Sequence, residues 1–317
     1  MTRRQRIAVL GEALVDVVQT GRGASRACPG GSGLNTALAL ARLAAPVAFC
    51  GALSRDDEGA GLAGRLAAEG VDLSCALQSG LPCPRVIATP GADGSPQYDL
   101  RLSGSALETQ PGAWRLPDDL IHLHATSFAS TTGAQGEAAL AAMIAARAVA
   151  STSYDPNVRR AVLPPINDAR ALIAARIAQA DIVKASAEDL VELDDPAGAL
   201  LAEWRALGPR LVVVTRGAAG ALALFAGGEI EAPAPSVAVR DTIGAGDTFM
   251  AALLADMLRD GALGPGAGGF AAAQVAGWLA FATSAASLCC TRDGCDPPRR
   301  AELDARRQTA NSVAPLA

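Results

Sequence analysis

The sequence predicts an α/β fold: a mostly parallel sheet with helices on both faces, and a second, small sheet beside it. From about residue 120, short apolar strands alternate with Ala- and Leu-rich helical runs, which implies parallel strands joined by crossover helices. Earlier, residues 12–18 and 83–103 read as short extended pieces outside that alternation. Asp155, Asn157, Lys184, Thr215 and Arg216 all fall at predicted strand ends, so they converge on one rim, where such sheets bind ligands.

In chain order, residues 7–10 form a first buried strand, and 12–18 an extended piece with Asp16 at its middle. Residues 21–25 turn. The glycine-rich loop Pro29-Gly30-Gly31-Ser32-Gly33-Leu34-Asn35 then leads into a buried helix over 36–43. A strand over 47–53 is followed by a helix ending near 69, with Asp56, Asp57 and Glu58 at its start and Gly70 at its end. Residues 83–103 read as two strands around a turn at 90–95. Beyond them the pattern gives strands over 120–124, 151–154, 181–184 and 211–215, with helices over 133–149, 169–180 and 196–207. A hairpin over 221–232 and helices over 249–258 and 267–287 complete the order; 260–269 and the tail after about 306 read as flexible.

Composition narrows the function. Half of the 317 residues are hydrophobic but only 3% are aromatic, so Ala, Leu and Val must fill the core. A net charge of −5 argues against nucleic acid and anionic membrane surfaces as partners. The basic start, residues 1–6, precedes only four apolar residues, too few for a signal peptide, so a cytoplasmic location is expected. The apolar stretch 270–288 contains Gln274, Gly277, Thr283 and Ser284 and reads as a core helix rather than a membrane span. Seven cysteines without a C-x-x-C pair, and two histidines, argue for reduced thiols and against zinc.

The chemistry concentrates in Asp241-Thr242-Ile243-Gly244-Ala245-Gly246-Asp247-Thr248-Phe249. Gly244, Ala245 and Gly246 present unobstructed N–H groups where a helix begins, and the helix dipole adds positive potential there. A carboxylate beside a bound anion is unfavourable unless it removes a proton from an attacking hydroxyl, which is the role the pattern suggests for Asp247. The same residues also suit an ordinary helix cap. Gly30-Gly31-Ser32-Gly33 has the character of a second phosphate-cradling loop, without the spacing or Lys of a Walker motif, and is equally a capping turn. Asn35 can bond hydroxyls. Asp16, among Val15, Val17 and Val18, needs polar partners, either sugar hydroxyls or backbone. Arg101 and Arg159 are candidate anion readers or solvated surface groups. His122 and His124 share one strand face and read as packing residues.

With these residues in hand, the chain resembles the ribokinase-like (PfkB) family of carbohydrate kinases from Ile7 to about Pro297. The resemblance rests on Gly30-Gly31-Ser32-Gly33-Leu34-Asn35, on the D-T-x-G-A-G-D pattern at 241–247, and on Thr215-Arg216-Gly217-Ala218-Ala219-Gly220. It implies one three-layer α/β/α kinase domain across residues 1–317, with a small β-sheet lid formed by about 12–25 and 83–103. Asp247 is then the catalytic base, and Gly244, Ala245 and Gly246 form the anion hole for the γ-phosphoryl group. Asp16, Gly31, Asn35, Tyr98, Arg101, Asn157 and Arg159 would face the sugar. ATP would lie along Lys184, Thr215, Arg216, Gly217 and Gly220, with Ala273 flanking adenine. The family's N-x-x-E is replaced by Ser186-Ala187-Glu188-Asp189, so Asp189 or Glu188 would take the Mg²⁺-related role; Asp241 and the loop at 292–294 would hold a monovalent cation such as K⁺.

Gly11-Glu12-Ala13-Leu14-Val15-Asp16, Asp155-Pro156-Asn157-Val158-Arg159, Asp181-Ile182-Val183-Lys184 and Tyr98-Asp99-Leu100-Arg101 are similar to the fructokinase and 2-keto-3-deoxygluconate kinase branch. Fructose is the expected substrate and the keto-acid the alternative; ribose or a nucleoside follows, and a non-catalytic sugar-binding protein on the same fold is the remaining reading. A homodimer through the lid is also implied.

Overall fold

The computed structural model describes residues 5–20, 24–90, 96–266 and 268–313. The chain begins with β1 (Arg6–Leu10), β2 (Leu14–Thr20), β3 (Ala24–Gly30), α1 (Ser32–Arg42), β4 (Val47–Phe49), β5 (Ala52–Ser54) and α2 (Asp57–Ala68). It continues through β6 (Leu77–Ser79), β7 (Arg85–Pro90), β8 (Pro96–Arg101), β9 (Leu120–Thr126), α3 (Gly133–Ala146), β10 (Ser151–Asp155), α4 (Ile166–Ile177), β11 (Ile182–Ser186) and α5 (Ala187–Glu192). Then come α6 (Leu200–Ala206), β12 (Leu211–Thr215), β13 (Ala221–Phe225), β14 (Gly228–Ala232), α7 (Ala245–Arg259), α8 (Ala272–Cys289) and α9 (Arg300–Val313).

Eight strands form the large sheet in the order β14-β13-β12-β11-β10-β9-β1-β4. All its pairs from β4 to β12 are parallel; β13 and β14 are antiparallel at one edge. Alternate residues of β1 explain the layering. Ile7 and Val9 join one buried cluster with side chains of α1, α7 and α8, while Ala8 and Leu10 join another with those of α3 and α4. Strands covered on both faces need continuous apolar runs, which is how these strands read in the sequence.

The small sheet has four strands, in the order β3-β2-β7-β8. The sequence reading missed β3: it placed a turn at 21–25 and a loop from Pro29. Asp16 pairs with Cys28 and Leu14 with Gly30, so the glycine-rich segment is a strand end, and α1 starts at Ser32 rather than near 36. Small and polar residues hid the strand; its partner β2 supplies the ladder. Residues 21–23 and 91–95, where turns were expected, lie outside the described residues.

Other boundaries also shift. The expected strand over 47–53 divides, with β4 in the large sheet and β5 pairing β6 in a two-stranded one. The expected helix over 196–207 begins later, as α6, and the short α5 precedes it where no helix was expected. Asp195 accepts from the N–H groups of Ala199 (2.9 Å) and Leu200 (2.7 Å), which fixes the start of α6. The apolar helix α8 is long enough to cross a membrane by length and composition, with mean hydropathy 1.3, yet 56% of it is buried inside the protein.

The tail is corrected too: α9 runs through Val313, well past the expected break near 306. Asp256 of α7 is buried, and Arg300 (3.4 Å) and Arg307 (3.3 Å) reach it from α9 while covering the Phe281 ring. A buried carboxylate needs such partners, and that demand is invisible in the polar tail sequence.

Candidate active site

Two helices aim their N-termini at the carboxyl rim of the large sheet. Gly31 precedes α1 with φ 97°, and a Cβ there would lie 2.6 Å from the Glu12 carbonyl oxygen, so only glycine fits. Beyond it, Ser32 N–H donates to Glu12 Oε1 (2.9 Å) and Leu34 N–H to the Glu12 carbonyl (3.1 Å). Glu12 is only 2% exposed, and burial pushes its carboxyl up to about 7 despite the Ser32 N–H.

Gly244 precedes α7 in the left-handed region, φ 75°, and a Cβ there would lie 2.3 Å from Cys295 Sγ. Ala245 N–H donates to the Thr242 carbonyl (3.2 Å), whereas Gly246 and Asp247 N–H have no backbone partner among the described residues. A Cβ on Gly246 would stand 3.0 Å from Lys184 Nζ, so an ammonium borders the same turn. Lys184 Nζ donates to Asp155 Oδ2 (3.0 Å), and both side chains are buried. Burial raises the Asp155 carboxyl to about 6 against the pull of Lys184. Burial alone would lower the ammonium of Lys184, but Asp155 and Asp189 outweigh it and the net shift is upward. Both partners are therefore charged near neutral pH. Two N–H groups without a backbone partner, a helix dipole and an ammonium suit this turn to binding an anion.

Asp247 stands in the first turn of α7, 8% exposed. Its two oxygens meet α1: Ser32 Oγ donates to Oδ1 (2.5 Å) and Asn35 Nδ2 to Oδ2 (2.9 Å). Ser32 Oγ also bonds Thr126 Oγ1 at the end of β9 (2.8 Å). Asp16 lies nearby on β2. Burial raises its carboxyl to about 6, Arg159 lowers it, and Asp247 raises it further, so the three charges share one neighbourhood. A carboxylate held beside an anion site at a sheet rim can accept a proton from a hydroxyl attacking that anion.

The remaining candidates divide. Asn157, φ 37°, donates its N–H to Asp155 Oδ1 (3.1 Å), and the exposed Arg159 donates to the Val158 carbonyl (2.7 Å). Arg101 lies on β8, exposed and paired with Asp99 (3.0 Å) rather than with the Asp247 cluster. Tyr98 pairs with Ala88 in the same sheet, and its side chain lies outside what is described. Thr215 ends β12; after it Arg216 N–H donates to the Gly220 carbonyl (2.7 Å), closing a turn through Gly217, while the Arg216 side chain pairs with Glu231 (3.0 Å). Ala273 is exposed in the first turn of α8.

The acidic residues expected near Mg²⁺ also have local partners. Asp189 Oδ1 accepts from Val158 N–H (2.6 Å) and Oδ2 from Ser186 N–H (2.7 Å), completing a capping box with Ser186 at the start of α5. Those bonds give Asp189 a structural task that the motif comparison did not supply. Glu188 is exposed. Asp241 accepts from Ile243 N–H (2.9 Å) and Gly294 N–H (2.8 Å), tying the signature to the 292–294 loop. Among the described residues no group of three or more His, Cys, Asp or Glu side chains is arranged to hold a metal ion. His122 and His124 are fully buried and bond Ser151 and Ser153 at 2.7–2.8 Å; burial lowers His124 to about 3.

Sequence reasoning did not single out Glu12, Ser32 or Thr126 as parts of this cluster. One signal was available for Glu12: it follows the first buried strand, at the end where ligands bind.

The comparisons agree with this geometry. The pfkB family carbohydrate kinase model matches residues 4–301. A fructokinase of Rhizobium leguminosarum bv. trifolii is 36% identical over 274 residues, 81% of each chain. Aminoimidazole riboside kinase from Salmonella enterica, solved with aminoimidazole riboside and an ATP analog, superimposes with TM-score 0.79 at 28% identity, covering 95% of this chain and 99% of that one. Fructokinase from Vibrio cholerae O395, solved with fructose, ADP and a calcium ion, superimposes with TM-score 0.81 at 26% identity, covering 95% and 98%. A family match over nearly the whole chain, on a fold whose rim holds the D-T-x-G-A-G-D turn, makes this chain a member of the pfkB family of carbohydrate kinases, an ATP-dependent sugar kinase.

Proposed function

We propose that this kinase transfers the γ-phosphoryl group of ATP to a terminal primary hydroxyl of fructose. The observation that carries the reading is Asp247, a buried carboxylate at the helix start where the N–H groups of Gly246 and of Asp247 itself stay open, beside the ammonium of Lys184. In this reading Asp247 Oδ1 accepts the hydroxyl proton, with the sugar oxygen entering where Ser32 Oγ now donates. The N–H groups of the turn and Lys184 stabilise charge on the transferring group, which is the main requirement of phosphoryl transfer. Asp16 and Asn35 hold further hydroxyls, and the small sheet covers them as a lid. The nucleotide follows the Thr215–Gly220 turn towards Ala273.

Mg²⁺ would supply charge neutralisation at the phosphate oxygens. Asp189, whose oxygens each accept one backbone N–H and keep a further lone pair, or the exposed Glu188 would hold it, and no step is assigned through it. A monovalent cation at the Asp241–Gly294 junction, pairing of two copies through the small sheet and a cytoplasmic location belong to the same proposal. Fructokinase relatives favour fructose. A riboside is the second reading, favoured by the aminoimidazole riboside kinase likeness.

The test is ADP release with MgATP and D-fructose, 2-keto-3-deoxygluconate, D-ribose or aminoimidazole riboside, with and without K⁺. The expected result is highest kcat/KM on fructose. Preference for the riboside establishes the second reading, and preference for the keto-acid would make Arg101 and Arg159 carboxylate readers. No turnover on any of the four would sink the proposal.

A further inference from the structure

A cavity of about 290 Å³ opens beside the amino-terminal ends of β1 and β9, opposite the catalytic rim. Arg6, Ser74, Cys75, Arg115, Asp118 and Asp119 line it. Behind Cys75 stands Cys50. Ala48 bridges Asp72, and Ala52 pairs with Leu77, so the two cysteines sit between the same two rungs of adjacent segments. Both belong to one buried cluster; Cys50 is 0% exposed and Cys75 6%.

We propose that Cys75 and Cys50 are an oxidisable dithiol, in which Cys75 attacks a low-molecular-weight disulfide entering the cavity and Cys50 resolves the product. The electrostatics suit this division. The neighbouring Cys50 thiol lowers the Cys75 thiol to about 6 against burial, with Ser74, whose Oγ is 3.9 Å from the sulfur, and Arg115 assisting. The same contact, then burial, holds the Cys50 thiol well above its ordinary range. Asp72 opposes the thiolate and Arg115 offsets it, and a thiolate that borders an open cavity is the attacking species in thiol–disulfide exchange.

The exchange balances in two steps. Cys75 Sγ⁻ forms a bond to one sulfur of the small disulfide, whose S–S bond breaks and releases one thiolate. Cys50 Sγ then attacks Cys75 Sγ, its proton leaving with the second thiolate. The dithiol loses two electrons and the small disulfide becomes two thiols. Arg6 is already paired with Asp72 and with Asp119 (3.3 Å), which leaves Arg115 and Asp118 to face a carboxylate and an ammonium. The chemistry therefore favours an amino-acid-derived disulfide.

The test treats the full chain with oxidised glutathione, blocks remaining thiols and maps unreduced peptides by mass spectrometry. The expected products are a Cys50–Cys75 linkage in the wild type, a retained Cys75–glutathione adduct in Cys50→Ala, and neither in Cys75→Ala. On unmutated protein, iodoacetamide alkylation of Cys75 should show a midpoint near pH 6. Glutathione only on the half-buried Cys28 or Cys290, or a Cys75 midpoint near the ordinary thiol value of about 8.5, would overturn the proposal. A stable wild-type adduct without the linkage would remove Cys50 from its role.

Discussion

The N-termini of α1 and α7 look alike in sequence and differ in chemistry. Each follows a glycine in the left-handed region, and each points at the same rim. At α1 the terminus is filled from within: Glu12 takes the Ser32 N–H, and a Cβ on Gly33 would lie 2.6 Å from the Gly11 backbone. At α7 the N–H groups of Gly246 and Asp247 stay open, and a buried ammonium faces them. A helix N-terminus is thus an anion site only when no internal acid and no neighbouring backbone occupy it. In this molecule α1 supplies side chains that orient a carboxylate, and α7 supplies the carboxylate and the open N–H groups.

That contrast can be broken by mutation. Asp247→Ala should lower turnover by roughly 10²–10⁴-fold while ATP binding, measured by calorimetry, stays largely intact. Near-normal turnover would dismiss the proposed division between the helices. Lys184→Met should destabilise the fold by about 3–5 kcal/mol in urea unfolding, because Asp155 is left in a buried site without its partner and must stay desolvated or take up a proton. A matched Lys184→Met/Asp155→Leu variant should recover much of that loss, and failure to recover would mean the pair is not the cause.

At α1 the effects should be smaller and depend on pH. Glu12 titrates from 4.5 unfolded to about 7 folded, so the folded state binds the extra proton across that window. Stability linked to Glu12 is full below pH 4.5 and is lost as pH rises through about 7. Glu12→Gln removes that loss, so relative to wild type the variant should gain up to about 3 kcal/mol between pH 4.5 and pH 8. Equal pH slopes in the two proteins would show that Glu12 is not held protonated. Ser32→Ala, which removes one donor to Asp247, should cost about tenfold in kcat and little in KM. A loss as large as that of Asp247→Ala would place Ser32 in the chemistry itself.

Legibility followed the physics of each signal. The core strand 211–215 and the hairpin beside it read cleanly because burial on both faces demands continuous apolar runs. The turn at 244–247 was legible because the motif is contiguous and stands directly before a helical run. By contrast β3, composed of Ala, Ser, Arg, Cys, Pro and Gly, has no apolar alternation, and only its pairing with β2 makes it a strand. Asp189 looked like a metal-related acid by position, yet its oxygens serve backbone N–H groups of two segments about thirty residues apart.

The sequence by itself determined the layered parallel sheet, the family and the position of the signature turn, since these depend on local periodicity and on short contiguous motifs. Tertiary structure alone decided which helix end stays open, that Ser32, its N–H held by Glu12, reaches Asp247 from the other end of the chain, and that Lys184 borders Gly246. Those are long-range outcomes: Ser32 and Asp247 are separated by 215 positions, and only closure of the sheet brings their hydrogen-bonding atoms within reach.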